Sequence, residues 1–454
     1  MEPTHLHLYD VLMDPEDPAF ADLGRLLWTL LPTQALWIDR RVETASLAGE
    51  RRFRRHMSVD CRVPPSVLEL AQELGFSRFL VPLRFVTKEG PMLAFDLRLD
   101  DQAVPWLTRQ QNTMVARAVL YAAVDQLGQE LTPELDAALT EVAGADNDAS
   151  DRALKLLGLT EHGRPSESAT PAELVQWVVT TLDQNFLLLA DVAIGQVRRR
   201  TVFKITQELG LRVKEPLPVL SQIAWAPTSF VFDTPDVTAA SSYHFQFVAP
   251  DGMVIAGGEL FGTELDGATA PGTGAAVGAS GRPRWGADLD SRQVFGVSAS
   301  QGSVLGLNTH AVEVPEADVF NVEVLVCPSP DGLLRACAVS AGFSTALLFT
   351  AAGFSHRLDG GRLDASIALL LLLPGVMSTL LARPGEHHLV SRLLRGVRIL
   401  TLFSAITLYF AAAVVVAGLG GGGLRAAWLV LSVLSAVPAA VLGIAVRRCR
   451  LHHW

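Results

Sequence analysis

Four long apolar runs in the last third of the chain constrain its fold more than any other feature. They are 336–354, 365–382, 399–419 and 424–446, and the only charged side chain inside them is Arg425, near the start of the fourth. About 20 helical residues cross the ~30 Å hydrocarbon core of a bilayer. One such run also fits a buried helix of a soluble protein. Four in succession predict an α-helical membrane domain of about four spans at 331–454, of which 365–382 is the shortest and weakest.

The charge of the chain divides at the same place. From Asp331 onward there are 11 arginines, no lysine and four acids, whereas residues 1–330 contain 26 basic and 43 acidic groups. An acidic soluble part followed by an arginine-flanked apolar part is typical of a membrane anchor. The net negative charge of the soluble part argues against a nucleic acid partner, because such binding depends on cations that contact phosphate.

The arginines that flank the spans predict an orientation. Three lie on one side, namely Arg357, Arg362 and Arg425, and eight lie on the other, which is the side of the soluble part. The positive-inside rule then places the N-terminal part and the C-terminus in the cytoplasm, in a multi-pass protein of the plasma membrane. The N-terminus has no apolar signal segment, and the four cysteines are far apart, which agrees. The arginines expected to contact anionic headgroups are Arg383, Arg392, Arg395, Arg398, Arg447, Arg448 and Arg450.

The loop before the third span shows a helical pattern of its own. Leu389, Val390, Leu393, Leu394 and Val397 fall on one face, and basic side chains lie opposite. This pattern predicts an amphipathic helix in the membrane interface. A plain extension of the third span is the alternative.

Residues 1–222 read as a mixed α+β cytoplasmic domain with a helical insert at 108–185. Thr108 with Gln111, and Thr170 with Glu173, have the spacing of capping boxes that open helices. Strands are predicted at 56–63, 79–86 and 92–99, and Lys88–Pro91 between the last two is a hairpin signal. Two more strands are predicted at 186–194 and 202–207.

Residues 223–330 have a different sequence pattern, with short stretches of alternating apolar and polar residues separated by turn residues. Strands are expected at 229–232, 243–248, 253–260, 294–298, 311–314 and 319–326. That number of strands in about 100 residues predicts an immunoglobulin-like β-sandwich. Because the last strand is followed closely by the first span, the sandwich is expected to lie next to the membrane.

Sequence motifs for chemistry are sparse. There is no phosphate-binding glycine loop with its lysine and no nucleophile elbow, and the histidines and cysteines lack the spacing of a metal site. We therefore predict no catalytic residues, no cofactor and no metal ligands. The basic run Arg51, Arg52, Arg54 and Arg55 is a candidate contact patch for headgroups or an acidic partner, although a solvated loop is the plainer interpretation.

Four segments carry a resemblance to a known family: SVDCRVP at 58–64, LRFVTKEGPMLAFDLRLDDQAVPWLTRQQN at 83–112, SSYHFQFVAPDG at 241–252 and LLARPGEHHLVSRLLRGVR at 380–398. The chain resembles uncharacterised multi-pass membrane proteins of high-GC Gram-positive bacteria over 57–131, 186–260 and 333–400. The excess of arginine over lysine, 33 to 4, is typical of such genomes. The resemblance implies a plasma-membrane protein with a cytoplasmic front part, and it implies no activity.

The function that we expect is a membrane-anchored protein whose large cytoplasmic part binds a protein partner or a ligand at the inner membrane surface, without catalysis. One alternative is an oligomeric transport or pore-forming component, against which the absence of charge inside the spans argues. A second alternative is a membrane-tethered enzyme with a site assembled from distant residues such as Ser229, Asp233 and His244. A homo-oligomer is compatible with each of these functions.

Overall fold

A computed structural model describes most of the chain. It covers residues 8–49, 52–88, 93–144, 149–159, 169–210, 218–234, 237–263, 293–294, 297–301, 303–310, 319–354, 376–380, 388–417 and 421–451.

The helices, in chain order, are α1 (Leu8–Met13), α2 (Pro18–Leu30), α3 (Gln34–Trp37), α4 (Pro65–Glu73), α5 (Arg109–Gln126), α6 (Pro133–Gly144), α7 (Ser150–Leu156), α8 (Pro171–Gln184), α9 (Ile194–Val197), α10 (Val219–Gln222), α11 (Leu333–Phe354), α12 (His388–Leu393), α13 (Arg395–Val416) and α14 (Gly421–Leu451). The strands are β1 (Ile38–Leu47), β2 (Arg52–Cys61), β3 (Arg78–Thr87), β4 (Leu93–Leu99), β5 (Gln102–Ala103), β6 (Asn185–Ala193), β7 (Thr201–Gly210), β8 (Thr228–Asp233), β9 (Ser242–Val248), β10 (Met253–Thr263), β11 (Gln293–Val294), β12 (Val297–Gln301), β13 (Val304–His310) and β14 (Val319–Pro328).

The strands form three sheets, and the largest joins the two halves of the soluble part. Eight strands follow the order β12-β13-β9-β1-β2-β7-β4-β5, four follow β11-β10-β14-β8, and β3 pairs with β6. β1 pairs with β9 in parallel, with Arg41 opposite Tyr243, whereas its other neighbour β2 is antiparallel. Strands from both sides of residue 222 therefore belong to one sheet.

The hairpin predicted around Lys88–Pro91 is wrong. The flanking strands exist, but β3 pairs with β6 while β4 pairs with β7 and β5 in the large sheet. Burial explains the separation. β3 is buried along most of its length on both faces, as is β6, whereas β4 has exposed positions. A strand that is apolar on both faces needs cover on both sides, so β3 lies inside the domain and β4 near an edge.

Helices α5 to α8 lie between β5 and β6, where the sequence predicts a helical insert. Both predicted capping boxes are present, Thr108 with Gln111 on α5 and Thr170 with Glu173 on α8. α2 crosses α5 so closely that a Cβ on Gly24 would lie 2.1 Å from the carbonyl oxygen of Ala118. These helices, the β3–β6 pair and part of the large sheet share a first hydrophobic core, which includes Phe20, Phe79 and Phe203.

Residues 228–328 contribute two sheets that face each other across a second core. Phe232 on β8 packs against Phe245 and Phe247 on β9, with ring centroids 5.7 and 5.4 Å apart. One of the two sheets is the large sheet that continues into the N-terminal half. The soluble region is thus an α/β structure, and the described strands do not form the separate immunoglobulin-like sandwich that the sequence suggests. The predicted strand at 311–314 lies outside the described residues.

The C-terminal region contains three described helices long and apolar enough to cross a membrane: α11, α13 and α14. The first turns of α11 and α13 and the last turns of α14 enter the second core together with β8, β9, β10, β13 and β14. The opposite ends, including Ala352, Val415 and Trp428, share a third core. α11 and α13 therefore run in the same direction, and α14 runs against them.

The second predicted span, 365–382, lies mostly outside the described residues. Its described piece, 376–380, is helical and contacts two neighbours. The hydroxyl of Ser378 lies 2.7 Å from that of Ser340 on α11, and the hydroxyl of Thr379 lies 3.1 Å from that of Tyr409 on α13. Such hydroxyl pairs are a usual means of joining helices within a bilayer.

The amphipathic segment before the third span forms α12 and the start of α13, but the predicted contact with lipid is wrong for its apolar face. Val390, Leu393, Leu394 and Val397 are all at most 2% exposed and belong to the second core. Gly396 lies so close to α10 that a Cβ would meet the carbonyl oxygen of Gln222 at 2.6 Å. A helical pattern gives the apolar face, but it does not tell whether lipid or protein covers that face.

Candidate ligand cavity

A cavity of about 510 Å³ lies in the N-terminal half of the soluble part. Its walls come from the end of β3, from 106–112 at the start of α5 and from 186–189 on β6. Ligand cavities in proteins commonly have volumes of 300–1,000 Å³. The cavity is therefore large enough for a small organic molecule.

Two contacts hold α5 and the segment before it against the edge of β6. The side-chain amide of Asn112 donates to the carbonyl of Leu187, and its oxygen accepts from the N–H of Leu187 at 3.2 Å. Trp106 forms a bridge with Ala190, next to which the N–H of Asp191 donates to the carbonyl of Pro105 at 3.3 Å. Because these contacts join the segment 105–112 to the edge of β6, they fix two walls of the cavity relative to each other.

The lining of the cavity is largely apolar. Leu107, Leu187, Leu188 and Leu189 are buried members of the first core, whereas Trp106 is 46% exposed at the rim. Among the described residues, the polar side chains in the lining are Thr108, Arg109 and Asn112, and none is a carboxylate. Apolar walls with a few polar groups are typical of sites for small organic ligands.

Two cations lie over one aromatic ring of this lining. The guanidinium of Arg109 and the ammonium of Lys88 each lie 5.5 Å from the ring centroid of Phe186. The ammonium of Lys88 also donates to the carbonyl of Val142 at 2.7 Å. Arg109 is exposed, and no carboxylate within the described ranges pairs with it. Two cationic side chains therefore lie beside this ring of the lining.

The predicted basic patch is divided between the two faces of β2. Arg51 lies outside the described residues. Arg54 is exposed and pairs with Glu208 on β7 at 2.8 Å, and Arg52 lies 3.7 Å from the same carboxylate. Arg55 points to the other face and is 4% exposed. The period of two along a strand thus separates neighbours that the sequence placed in one patch.

Arg55 belongs to a buried polar cluster between the first and second cores. Its guanidinium lies 2.6 Å from the carboxylate of Glu43, which is 1% exposed. Glu43 also accepts from the hydroxyl of Tyr243 at 2.9 Å, and Arg55 donates to the backbone carbonyl of Asp233. The cluster joins β1, β2, β9 and β8. A charged residue at every second position of a strand is the sequence signal that points to it.

The predicted membrane-interface arginines lie where the helix bundle meets the soluble part. Arg395, Arg447, Arg448 and Arg450 are exposed, Arg392 is half-buried, and Arg398 is buried with a hydrogen bond to Ser391. Arg383 lies outside the described residues. Arg448 covers the ring of Trp225 at 5.3 Å and donates to its carbonyl at 3.3 Å. The indole N–H of Trp225 donates to the carbonyl of Val441 on α14 at 3.0 Å.

Cys61 and Tyr121 elsewhere in the soluble part have raised pKa values. Burial raises the pKa of the Cys61 thiol to about 12, and the carboxylates of Asp60 and Asp39 act in the same direction. Burial together with a hydrogen bond to Asp136 raises the pKa of Tyr121 to about 12. Both groups therefore stay protonated at neutral pH.

The residues considered for an enzyme site have separate partners. The ring of His244 bonds to Ser242 and Asn308, whereas Ser229 donates to Glu323. Among the described residues, no three histidine, cysteine or acidic side chains lie close enough together to hold a metal ion. No protein-family model and no curated protein sequence matches the chain. The cavity is thus the feature from which a function can be argued.

Proposed function

We propose that this chain is a membrane-anchored ligand-binding protein whose large soluble part faces the cytoplasm. The observation that carries the proposal is the cavity of about 510 Å³, with its apolar walls and few polar groups. The cavity lies in the first core, whereas the helix ends enter the second core. A ligand in this cavity is therefore bound by the soluble part, and the helices hold that part at the membrane.

Four membrane crossings are part of this proposal. α11 and α13 run in the same direction, so a chain that enters the bilayer with α11 has to return before α13 begins. Residues 365–382 have the length and composition for that return. The contacts of Ser378 and Thr379 with α11 and α13 support it.

The cytoplasmic orientation rests on the arginines at the junction. Arg395, Arg447, Arg448 and Arg450 lie at the helix ends that contact the soluble part, whereas Arg425 lies near the opposite end of α14. The positive-inside rule then assigns the junction to the cytoplasmic leaflet. Reporter fusions to Met1 should be active only with a reporter that works inside the cell, and activity of an exported reporter would contradict this orientation.

Calorimetry of the full chain in phosphatidylcholine nanodiscs tests ligand binding, with octanol and octanoate as probes. After subtraction of the heat from empty nanodiscs, we expect saturable binding of at least one probe. Leu189→Trp fills the cavity and should abolish it. Leu70→Trp places the same side chain on exposed α4, where Leu70 is 46% exposed, and should leave binding unchanged. Equal binding by the filled variant, with a native circular dichroism spectrum, would contradict the proposal.

A further inference from the structure

We propose that the ligand of this cavity is an amphipathic anion: an apolar chain or ring system that carries a carboxylate or phosphate group. This inference rests on the proposed function and adds the chemical class of the ligand. The apolar body fits against Leu107, Leu188 and Leu189, which are all at most 6% exposed. Burial of apolar surface supplies the affinity for such a body, at roughly 25 cal/mol per Å².

The sign of the charge follows from Arg109 and Lys88. Both cations lie over Phe186, and none of the described residues that line the cavity is a carboxylate. A cationic ligand would face two like charges, and a neutral head group would offer the guanidinium of Arg109 a weaker hydrogen-bond acceptor than an anion does. A carboxylate or phosphate accepts two parallel hydrogen bonds from a guanidinium, which is the geometry that arginine favours.

Asn112 and Thr108 are uncharged, but they fix the start of α5 and so determine the position of the Arg109 guanidinium. The side chain of Asn112 is bound on both sides to the backbone of Leu187, so it holds the first turn of α5 against β6. The Thr108 hydroxyl accepts from the Gln111 N–H at 3.3 Å and fixes the start of the helix. Arg109 follows directly and is held at the rim by the ring of Phe186.

The ligand enters from water rather than from the bilayer. The buried apolar residues of the wall belong to the first core, and Trp106 at the rim is exposed to solvent. The helix ends contact the second core instead. The structure therefore favours a soluble amphipathic anion over the headgroup of a bilayer lipid.

Three probes with the same chain and different head groups test the charge: octanoate, octanol and octylamine. They are titrated calorimetrically into the full chain in phosphatidylcholine nanodiscs, with empty nanodiscs as blank. We expect octanoate to bind at least about fivefold more tightly than octanol, and octylamine to bind most weakly. Arg109→Ala should remove this preference for octanoate over octanol. Arg25→Ala, at an exposed arginine on α2, should leave the preference unchanged.

The outcomes separate this inference from the proposed function. Equal affinities for octanoate and octanol, or an equal loss of both in Arg109→Ala, would overturn the anionic class while the cavity stays a binding site. Absence of binding by all three probes would overturn both. Binding of the neutral probe octanol that weakens when phosphatidylglycerol replaces phosphatidylcholine would show that a lipid occupies the cavity, and would overturn entry from water.

Discussion

The buried pair Glu43–Arg55 offers a direct test of how the two cores are held together. The two charged groups are 2.6 Å apart, and the side chains are 1% and 4% exposed. Glu43→Gln keeps the shape of the side chain and removes its charge, so that Arg55 stays buried without a carboxylate. Breaking a buried pair in this way typically costs 3–5 kcal/mol, because one charge is left uncompensated. Since the oxygen of the new amide would still accept from the hydroxyl of Tyr243, we expect a cost at the lower end, about 3 kcal/mol.

A neighbouring pair on the other face of β2 provides the matched control. Arg54 and Glu208 are 2.8 Å apart, but the side chain of Arg54 is 48% exposed. Water screens such a pair, and exposed ion pairs contribute at most about 1 kcal/mol. Glu208 is 14% exposed and also lies near Arg52, so Glu208→Gln should lower the free energy of unfolding by at most about 1 kcal/mol, less than Glu43→Gln does.

The measurement is pulse proteolysis of the full chain in nanodiscs across a urea series, which reports the fraction of the soluble part that is unfolded. The double variant Glu43→Gln with Arg55→Met separates loss of an interaction from exposure of a buried charge. If the uncompensated charge is the cause, the double variant should be more stable than Glu43→Gln alone. The uncompensated charge would not be the cause if Glu43→Gln destabilised the protein no more than Glu208→Gln. The same would hold if the double variant lost as much stability as the two single variants together.

Two further predictions concern single positions of the first core. Gly24→Ala should destabilise the soluble part by several kcal/mol in the same proteolysis assay, because the new Cβ would lie 2.1 Å from the carbonyl oxygen of Ala118, whereas Gly49→Ala has open space around it and serves as the control. Tyr121 has a pKa of about 12 against an ordinary 10.0, so its protonated form stabilises the fold fully below pH 10 and this contribution is lost as the pH rises toward 12. Tyrosinate absorbance during an alkaline titration should lose a component near pH 12 in Tyr121→Phe, and an unchanged titration would contradict the assignment.

The features that the sequence predicts well are local ones. Hydrocarbon-length apolar runs and capping boxes involve residues a few positions apart, and α5, α8, α11, α13 and α14 follow from them. The pairing of strands is not local. β1 escapes prediction because Arg41 and Glu43 occupy inward positions where the alternating pattern requires apolar residues. A buried ion pair thus conceals the strand that joins the two halves of the soluble part.

The cavity escapes prediction for a related reason. Its walls come from three segments, around residue 86, at 106–112 and at 186–189, which are distant in sequence and meet only because β3 pairs with β6 and α5 packs on that edge. Each segment alone reads as an ordinary strand or the start of a helix. Arg109 is likewise a common kind of residue for a first helical turn until the fold places the Phe186 ring beneath it.

A continuous series of contacts leads from the cavity region to the membrane. β3 contributes both a wall residue and the carbonyl of Leu83, which accepts from the buried guanidinium of Arg41 at 2.6 Å. β1 carries Arg41 and also Glu43, whose partner Arg55 reaches the backbone of β8. β8 pairs with β14, and α11 begins within a few residues of its end. A chain of connected strands transmits a displacement only if one of its elements can adopt two conformations. The buried charges of the polar cluster favour a single register of β1, β2 and β8. The polar cluster therefore links the half of the soluble part that contains the cavity to the strand that precedes the first apolar helix.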